Sequence, residues 1–242
     1  MKKYELTDEI KKIDDRTLHR IRALKDFGNV KKGDLGGWIE SEDNLSQKDD
    51  CWVFGNATVS GAVVWGNATV SGNATVSGNA GVFGNATVSG DAAVSGNATV
   101  SGNAGVFGNA TVSGDAAVWG NAAVSGNAGV FGNATVSGNA TVSGNAKVSG
   151  NAKVSGNAEV LDNAQLSKQT DVLTISPIGS RNDTTTFYRA NGGKIFVKCG
   201  CKNTDIDEWL DMVKSTHGEN KHAKAYRLAA QIARLQILGE EE

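Results

Sequence analysis

The chain has one proline in 242 residues and only three cysteines. So little proline excludes collagen-like and polyproline architectures, although glycine reaches 31 residues, because no Gly-X-Y period accompanies it. Cys51, Cys199 and Cys201 are too few and too scattered for a disulfide framework, so the expected compartment is a reducing cytoplasm. No run of about 18 apolar residues exists, and no membrane-spanning helix is expected. Met1-Lys2-Lys3-Tyr4-Glu5 opens on charge rather than on an apolar leader. An excess of one charge is also lacking. The 24 Lys+Arg and 26 Asp+Glu nearly cancel, which leaves no net field for nucleic acid or a membrane surface.

Charge is instead distributed by region. Between residues 51 and 161 only Asp91, Asp115, Lys147, Lys153 and Glu159 are charged, while both flanks are dense in both signs. The division suggests an N-terminal cap over 1–50, a neutral repeat over 51–176 and a C-terminal α+β module over 177–242.

The neutral region repeats every six residues, with the unit Ala-Thr-Val-Ser-Gly-Asn seen at Ala74 to Asn79. Valine recurs in steps of six from Val64 to Val160, and Leu166 and Val172 continue the step. Val53 and Val59 precede it, and the five-residue step from Val59 to Val64 drops one corner residue. A helix of 3.6 residues per turn cannot hold a strict period of six. A short strand and a bend can. In Ala-Thr-Val-Ser, Ala and Val share one face, and Thr and Ser share the other. Gly-Asn then supplies a corner, since both residues tolerate left-handed backbone. Asp91 and Asp115 take the place of Asn at two corners and are expected to keep its hydrogen bonding. One such strand is too small to be stable. Stacked coils bury all the Val and Ala in a single column.

An aliphatic residue and a small residue at this period resemble the hexapeptide-repeat left-handed parallel β-helix. The resemblance implies three units per triangular coil and the left hand. From Val53 to Val172 the chain holds 21 units, or seven coils, and a column of roughly 34 Å. Ser-Gly-Asn-Ala-Gly-Val-Phe begins at 77, 101 and 125, a step of four units. Phe83, Phe107 and Phe131 therefore fall on three different faces.

A solenoid needs caps, because open strand edges invite aggregation. Leu18 to Leu24 alternates as a strand, and Ile39 and Leu45 form a first, degenerate rung. In the C-terminal module, Thr184–Ala190 and Lys194–Cys201 read as strands around Asn191-Gly192-Gly193. A helix follows, capped by Thr204, with Ile206, Trp209, Leu210 and Val213 on one face. Gly218 ends it. Asn220 caps a second helix whose apolar stripe is Ala225, Leu228, Ala229, Ile232 and Leu235. Gly33-Asp34-Leu35-Gly36-Gly37-Trp38-Ile39-Glu40-Ser41 resembles the start of phage- and prophage-encoded β-helix proteins. Ile178 to Arg189, Thr216-His217-Gly218 and Lys221-His222-Ala223 resemble the C-terminal module of the same largely uncharacterised proteins.

The repeat carries little chemistry. The hexapeptide resemblance makes acyl transfer an alternative, but that reaction needs a general base of pKa near 7. His19, His217 and His222 all lie outside the coils, and no looped-out insertion builds a pocket. Cys199 and Cys201 alternate with Ile195 and Val197, which points to an apolar strand face rather than to metal. A closed zinc site would need four ligands. Lys221, Lys224, Arg227 and Arg234 read as a solvated helix flank. Ice binding through outward threonines is a further alternative. Its ladder Thr58, Thr75, Ala93, Thr111, Gly129 and Lys147 is broken.

What remains is a non-enzymatic, cytoplasmic interaction protein, with a purely structural scaffold as an alternative. No cofactor and no metal are expected. The resemblance to phage proteins implies a host protein as partner, bound and inhibited or sequestered. No membrane contact is expected, and any nucleic acid would engage the ends rather than the column. The candidate contact residues are the loop Ser180, Arg181, Asn182 and Asp183 and the outward aromatics Trp65, Phe83 and Trp119. Counted by threes, these aromatics share one face, and such a patch suits self-association into a homo-oligomer.

Overall fold

A computed structural model describes residues 2–239. Strands β4 (Trp52–Val53) to β23 (Gln165–Leu166) are the rungs of a triangular parallel solenoid. One wall is a seven-stranded sheet, and a second is six-stranded and extended by a bridge from Leu45 to Val64. The third belongs to a ten-stranded sheet that also takes in β1 (Tyr4–Ile13), β2 (Arg16–Ala23) and β3 (Leu35–Ile39). Every third valine pairs in register, as Val76 with Val94 and Val94 with Val112. The ladder Thr58, Thr75, Ala93, Thr111, Gly129, Lys147 follows the spacing read from the sequence.

Physical chemistry sets each position of the unit. The inward Ala and Val are buried from Ala57 to Val160. Rung amides donate to the next coil, as Thr69 N to Ala86 O at 2.9 Å and Ser71 N to Val88 O at 2.9 Å. Gly102 shows why the corner is glycine. Its φ is +70°, and a Cβ there would stand 2.9 Å from the Gly120 carbonyl of the next coil. Asparagines form side-chain ladders along the edges, and one runs unbroken through Asn67, Asn85, Asn103, Asn121, Asn139 and Asn157. The aspartates do not fully replace them. Asp91 accepts from Asn73 at 2.9 Å and Asp115 from Asn97 at 2.8 Å, but a carboxylate has no N–H to pass on.

The N-terminal cap continues one wall. β1 and β2 form an antiparallel hairpin, β2 pairs antiparallel with β3, and β3 runs parallel to the rung at Thr58. Ile39 and Leu45 are rungs, aligned with Val59 and Val64. Trp52 stands at the outward position of the first rung, level with Thr69, and is buried there by the cap, with Phe27 and Tyr4 edge-on at 5.3 and 6.0 Å.

At the other end the repeat stops one rung earlier than its spacing suggests. The corner after Leu166 carries Lys168, where earlier corners carry glycine or, at Asp162, an aspartate with φ +54°, and a short 3-10 turn replaces it. Val172 therefore begins β24 (Val172–Ile178) and pairs antiparallel with Tyr188. Pro177, placed at the start of the module by sequence, lies inside this strand. β24, β25 (Asp183–Arg189), β26 (Ile195–Cys199) and β27 (Lys202–Asp205) form a four-stranded antiparallel sheet in chain order. Two of these strands extend the expected hairpin.

One face of this sheet covers the last coil. Tyr188 is buried in the solenoid core, and Glu159 N donates to Thr186 Oγ1 at 3.2 Å. The other face takes α1 (Ile206–His217) and α2 (Lys221–Leu238). Asp205, rather than Thr204, caps α1, accepting from Asp207 N at 3.0 Å, because the helix starts at Ile206 and Asp205 is the residue just before it. Asn220 caps α2 as expected.

The face of α2 is a correction. Ala223, Tyr226, Ala229, Ala230, Ala233 and Ile237 pack inward, whereas Leu228, Ile232 and Leu235 of the expected stripe are 61, 51 and 54% exposed. The alanine-rich side lets the helix lie close to the sheet, and the bulkier stripe is turned outward.

Candidate functional site

The predicted loop Ser180 to Asp183 is not a connector between solenoid and module. It is the turn between β24 and β25. Gly179 takes φ +73°, and a Cβ there would fall 1.8 Å from the Tyr226 hydroxyl. Tyr226 is thus seated against the turn and helps to fix it.

This turn separates two clefts. One, of about 330 Å³, lies between the last coil and the sheet and is lined by Glu159, Arg181, Asp183, Thr184, Thr186 and Lys198. Lys198 Nζ reaches Glu159 at 3.2 Å and the Gly200 carbonyl at 2.5 Å. The other, of about 470 Å³, opens between the turn and α1. Ser180, Arg181 and Lys202 stand on its rim, with Trp209, Met212 and Val213 among its apolar lining. Arg181 borders both clefts. Its guanidinium stands over Gly200, where a Cβ would come within 3.1 Å of Nη1. Among the described residues Arg181 forms no ion pair.

The second cleft also holds Cys199, Cys201, His217 and Tyr226. Thr185 Oγ1 donates to Cys199 Sγ at 3.3 Å, and Cys199 Sγ lies 3.9 Å from the Tyr226 hydroxyl. Burial first, and then the neighbouring Cys199, push the Tyr226 phenol above its ordinary value, so it is neutral at pH 7. The His217 ring packs 5.8 Å from Tyr226 and 5.9 Å from His222. Among the described residues no three His, Cys, Asp or Glu side chains gather to hold a metal. The arrangement is an apolar floor with a polar rim, which suits recognition of a side chain or peptide.

The aromatic ladder is partly assembled. Trp65 and Phe83 stack at 4.6 Å with planes 14° apart. Trp119 follows the same wall, separated from Phe83 by the Thr99–Val100 rung, and is 49% exposed. Phe107 and Phe131 lie on the other two walls and fold back over Gly105 and Gly129.

Sequence reading missed Trp209, Tyr226, Lys198 and Glu159 as cleft residues. They come from four different elements, and no local spacing links them. It also missed Lys3, whose buried ammonium donates to the carbonyls of Cys51 at 2.9 Å and Lys48 at 3.2 Å. Burial lowers its pKa, and the nearby Cys51 and aspartates oppose that shift. This group staples the N-terminus to the first coil.

Comparison with known proteins bears on the repeat. A family described as "YdcK Beta solenoid repeat" matches residues 128–144 and 134–150. An Escherichia coli (strain K12) protein named "Uncharacterized acetyltransferase YdcK" is 36% identical over 77 residues, 28% of this chain and 24% of that protein. The matched part thus spans about a quarter of the relative's length. Both similarities fit a hexapeptide-type β-solenoid. Among the described residues no helix is long and apolar enough to cross a membrane.

Proposed function

We propose that the chain is a non-enzymatic interaction protein, in which a rigid β-solenoid presents a recognition surface on its C-terminal module. The observation that carries this reading is Arg181, without an ion pair among the described residues and set on a turn between two open clefts. The column itself carries no histidine, since His19 lies on β2 and His217 and His222 lie at the α1–α2 junction. Trp65, Phe83 and Trp119 are a second contact area on the wall. The finer reading is a cytoplasmic role in which the partner is a host component, bound and inhibited or sequestered. It rests on the resemblance of both ends to phage-encoded proteins.

Affinity capture from host lysate, with Arg181→Glu and Trp65→Ser/Trp119→Ser as parallel baits, tests the proposal. A protein retained by the parent chain and lost with Arg181→Glu is the expected result. Retention unchanged in both variants would remove these surfaces, and repeated empty captures would overturn the binding role.

The relative's name makes acetyl transfer the second reading. Calorimetric titration with acetyl-coenzyme A is expected to give no saturable heat. Saturable binding would favour the enzyme instead.

A further inference from the structure

The chain carries seven arginines, and among the described residues six of them are ion-paired. Arg16, Arg20, Arg22, Arg189, Arg227 and Arg234 each reach a carboxylate. Arg181 is the exception, and among the described residues no hydrogen bond takes up its guanidinium.

The larger of the two clefts that it borders, about 470 Å³, shares this imbalance. Lys202 also lines it without an ion pair among the described residues, and no aspartate or glutamate lines it. The last turn of α1 brings Thr216 and His217 to the same cleft, and a helix C-terminus carries about half a negative charge. The full positive charges of Arg181 and Lys202 outweigh it. The smaller cleft differs, because Glu159 and Asp183 there balance Lys198 and Arg181.

Across the larger cleft from the turn, α1 presents Trp209, Met212 and Val213. One side thus suits an anion, and the other suits an apolar body. A guanidinium holds a carboxylate through two parallel N–H donors. The last residue of a polypeptide carries a carboxylate and a side chain on one Cα, so a single residue can serve both sides. An internal acidic residue would need a separate apolar neighbour to do the same.

We propose that this cleft binds the C-terminus of a partner protein. The terminal carboxylate lies on Arg181 and Lys202, and a large apolar last side chain lies against Trp209, Met212 and Val213. The inference rests on the recognition role proposed above and adds what is recognised.

The test uses two pools of random heptapeptides, one with a free C-terminal carboxylate and one amidated. Each is passed over the immobilised full chain, and the retained peptides are sequenced. The free-acid pool should yield peptides ending in leucine, isoleucine, phenylalanine, methionine or tryptophan, and the amidated pool none. For a retained peptide, Arg181→Gln should weaken binding about tenfold or more, as loss of a charge-assisted hydrogen bond does. Lys202→Gln should weaken it as well. Met212→Glu sets a carboxylate against the apolar side and should abolish retention. Arg181 and Lys202 are exposed, so far-UV circular dichroism should not change in their variants.

Equal enrichment from both pools, an empty free-acid pool, or enriched peptides without an apolar last residue would each overturn the proposal. So would an affinity unchanged in Arg181→Gln. Loss with Arg181→Gln but not with Lys202→Gln would overturn it too, by moving the peptide to the smaller cleft, which Lys202 does not line. A lysate protein retained through Arg181, with both peptide pools empty, overturns C-terminal recognition alone and leaves the interaction role standing. Empty lysate captures together with empty pools overturn both.

Discussion

At the residue scale the corners of the column separate two causes that usually act together. Gly102 needs glycine for its backbone angle and for the close approach of Gly120. Gly156 has φ +69°, but nothing lies within 4 Å of where a Cβ would stand. Gly156→Ala is expected to cost about 1 kcal/mol, the strain of left-handed backbone alone. Gly102→Ala should cost clearly more, about 2–4 kcal/mol, because the neighbouring coil must shift as well. Urea unfolding of the two variants checks the order, and equal losses would show that spacing is not the constraint. Asp171 makes a second case. It is buried, accepts from Ser167 N at 2.7 Å and Lys168 N at 2.8 Å, and pairs with Arg189 Nε at 2.8 Å. Arg189 also donates to the Ile237 carbonyl, so one carboxylate ties the last coil to the sheet and to α2. Burial pushes the Asp171 pKa up, but the hydrogen bonds from Ser167, Arg189 and Lys168 outweigh it and hold the carboxyl below its ordinary value. Its stabilisation is present above the ordinary carboxylate pKa and is lost as pH falls through the lowered folded value. Asp171→Ala should cost about 2–4 kcal/mol at neutral pH. The gap between parent and variant should close in acid, measured by urea unfolding across pH.

At the scale of elements the unit of construction is the coil, not the six-residue repeat. Three rungs complete a turn, and each rung bonds to the one 18 residues on, as Asn85 does to Asn103. Deleting residues 91–108 removes one whole coil and returns every later rung to its own wall. Deleting residues 97–102 removes one rung and moves every later rung to the next wall. The first variant should keep a cooperative melt near that of the parent. The second should lose stability, because the sheet of the C-terminal module would meet the wrong walls through Glu159 and Asp162. Thermal melts followed by circular dichroism read the difference. The aspartate corners make a smaller effect at the same scale. Asp91→Asn should rejoin the ladder between Asn73 and Asn109 and raise stability by a few tenths of a kcal/mol, since the pair is exposed.

At the scale of the whole molecule, two caps keep an inherently open stack from growing. The N-terminal hairpin continues one wall antiparallel, and Trp52 on the outward side of the first rung is buried against the cap with Phe27 and Tyr4 around it. The four-stranded sheet covers the last coil, where Tyr188 fills the core and its burial raises the phenol to about 12. Above pH 10 the unfolded chain ionises this tyrosine while the folded one does not, so that part of the stability falls between about pH 10 and 12. Trp52→Ala should loosen the packing of the N-terminal cap on the first rung, cost about 3–5 kcal/mol and promote aggregation, because the first rung edges become accessible. Light scattering during a thermal ramp, compared with Trp65→Ala on the exposed wall, checks whether loss of the cap packing rather than aromatic loss is responsible.

The sequence by itself determined the column, its register and its corners. A period of six repeated over many coils leaves one way to bury every Val and Ala, and local backbone preference supplies the bend. It also placed Trp65, Phe83 and Trp119 on one wall, because counting by threes is a property of the chain alone. Tertiary structure decided what lay beyond the period. The terminal sheet claimed Val172 where a 3-10 turn replaced the corner after Leu166, and it added β24 and β27 around the hairpin that sequence predicted. It set Arg181 between two clefts whose walls come from distant elements. It also chose between two apolar faces of α2, burying the alanines and leaving Leu228, Ile232 and Leu235 outside. Either face has helical periodicity, and only the shape of the sheet beneath distinguishes a helix that packs close from one that does not.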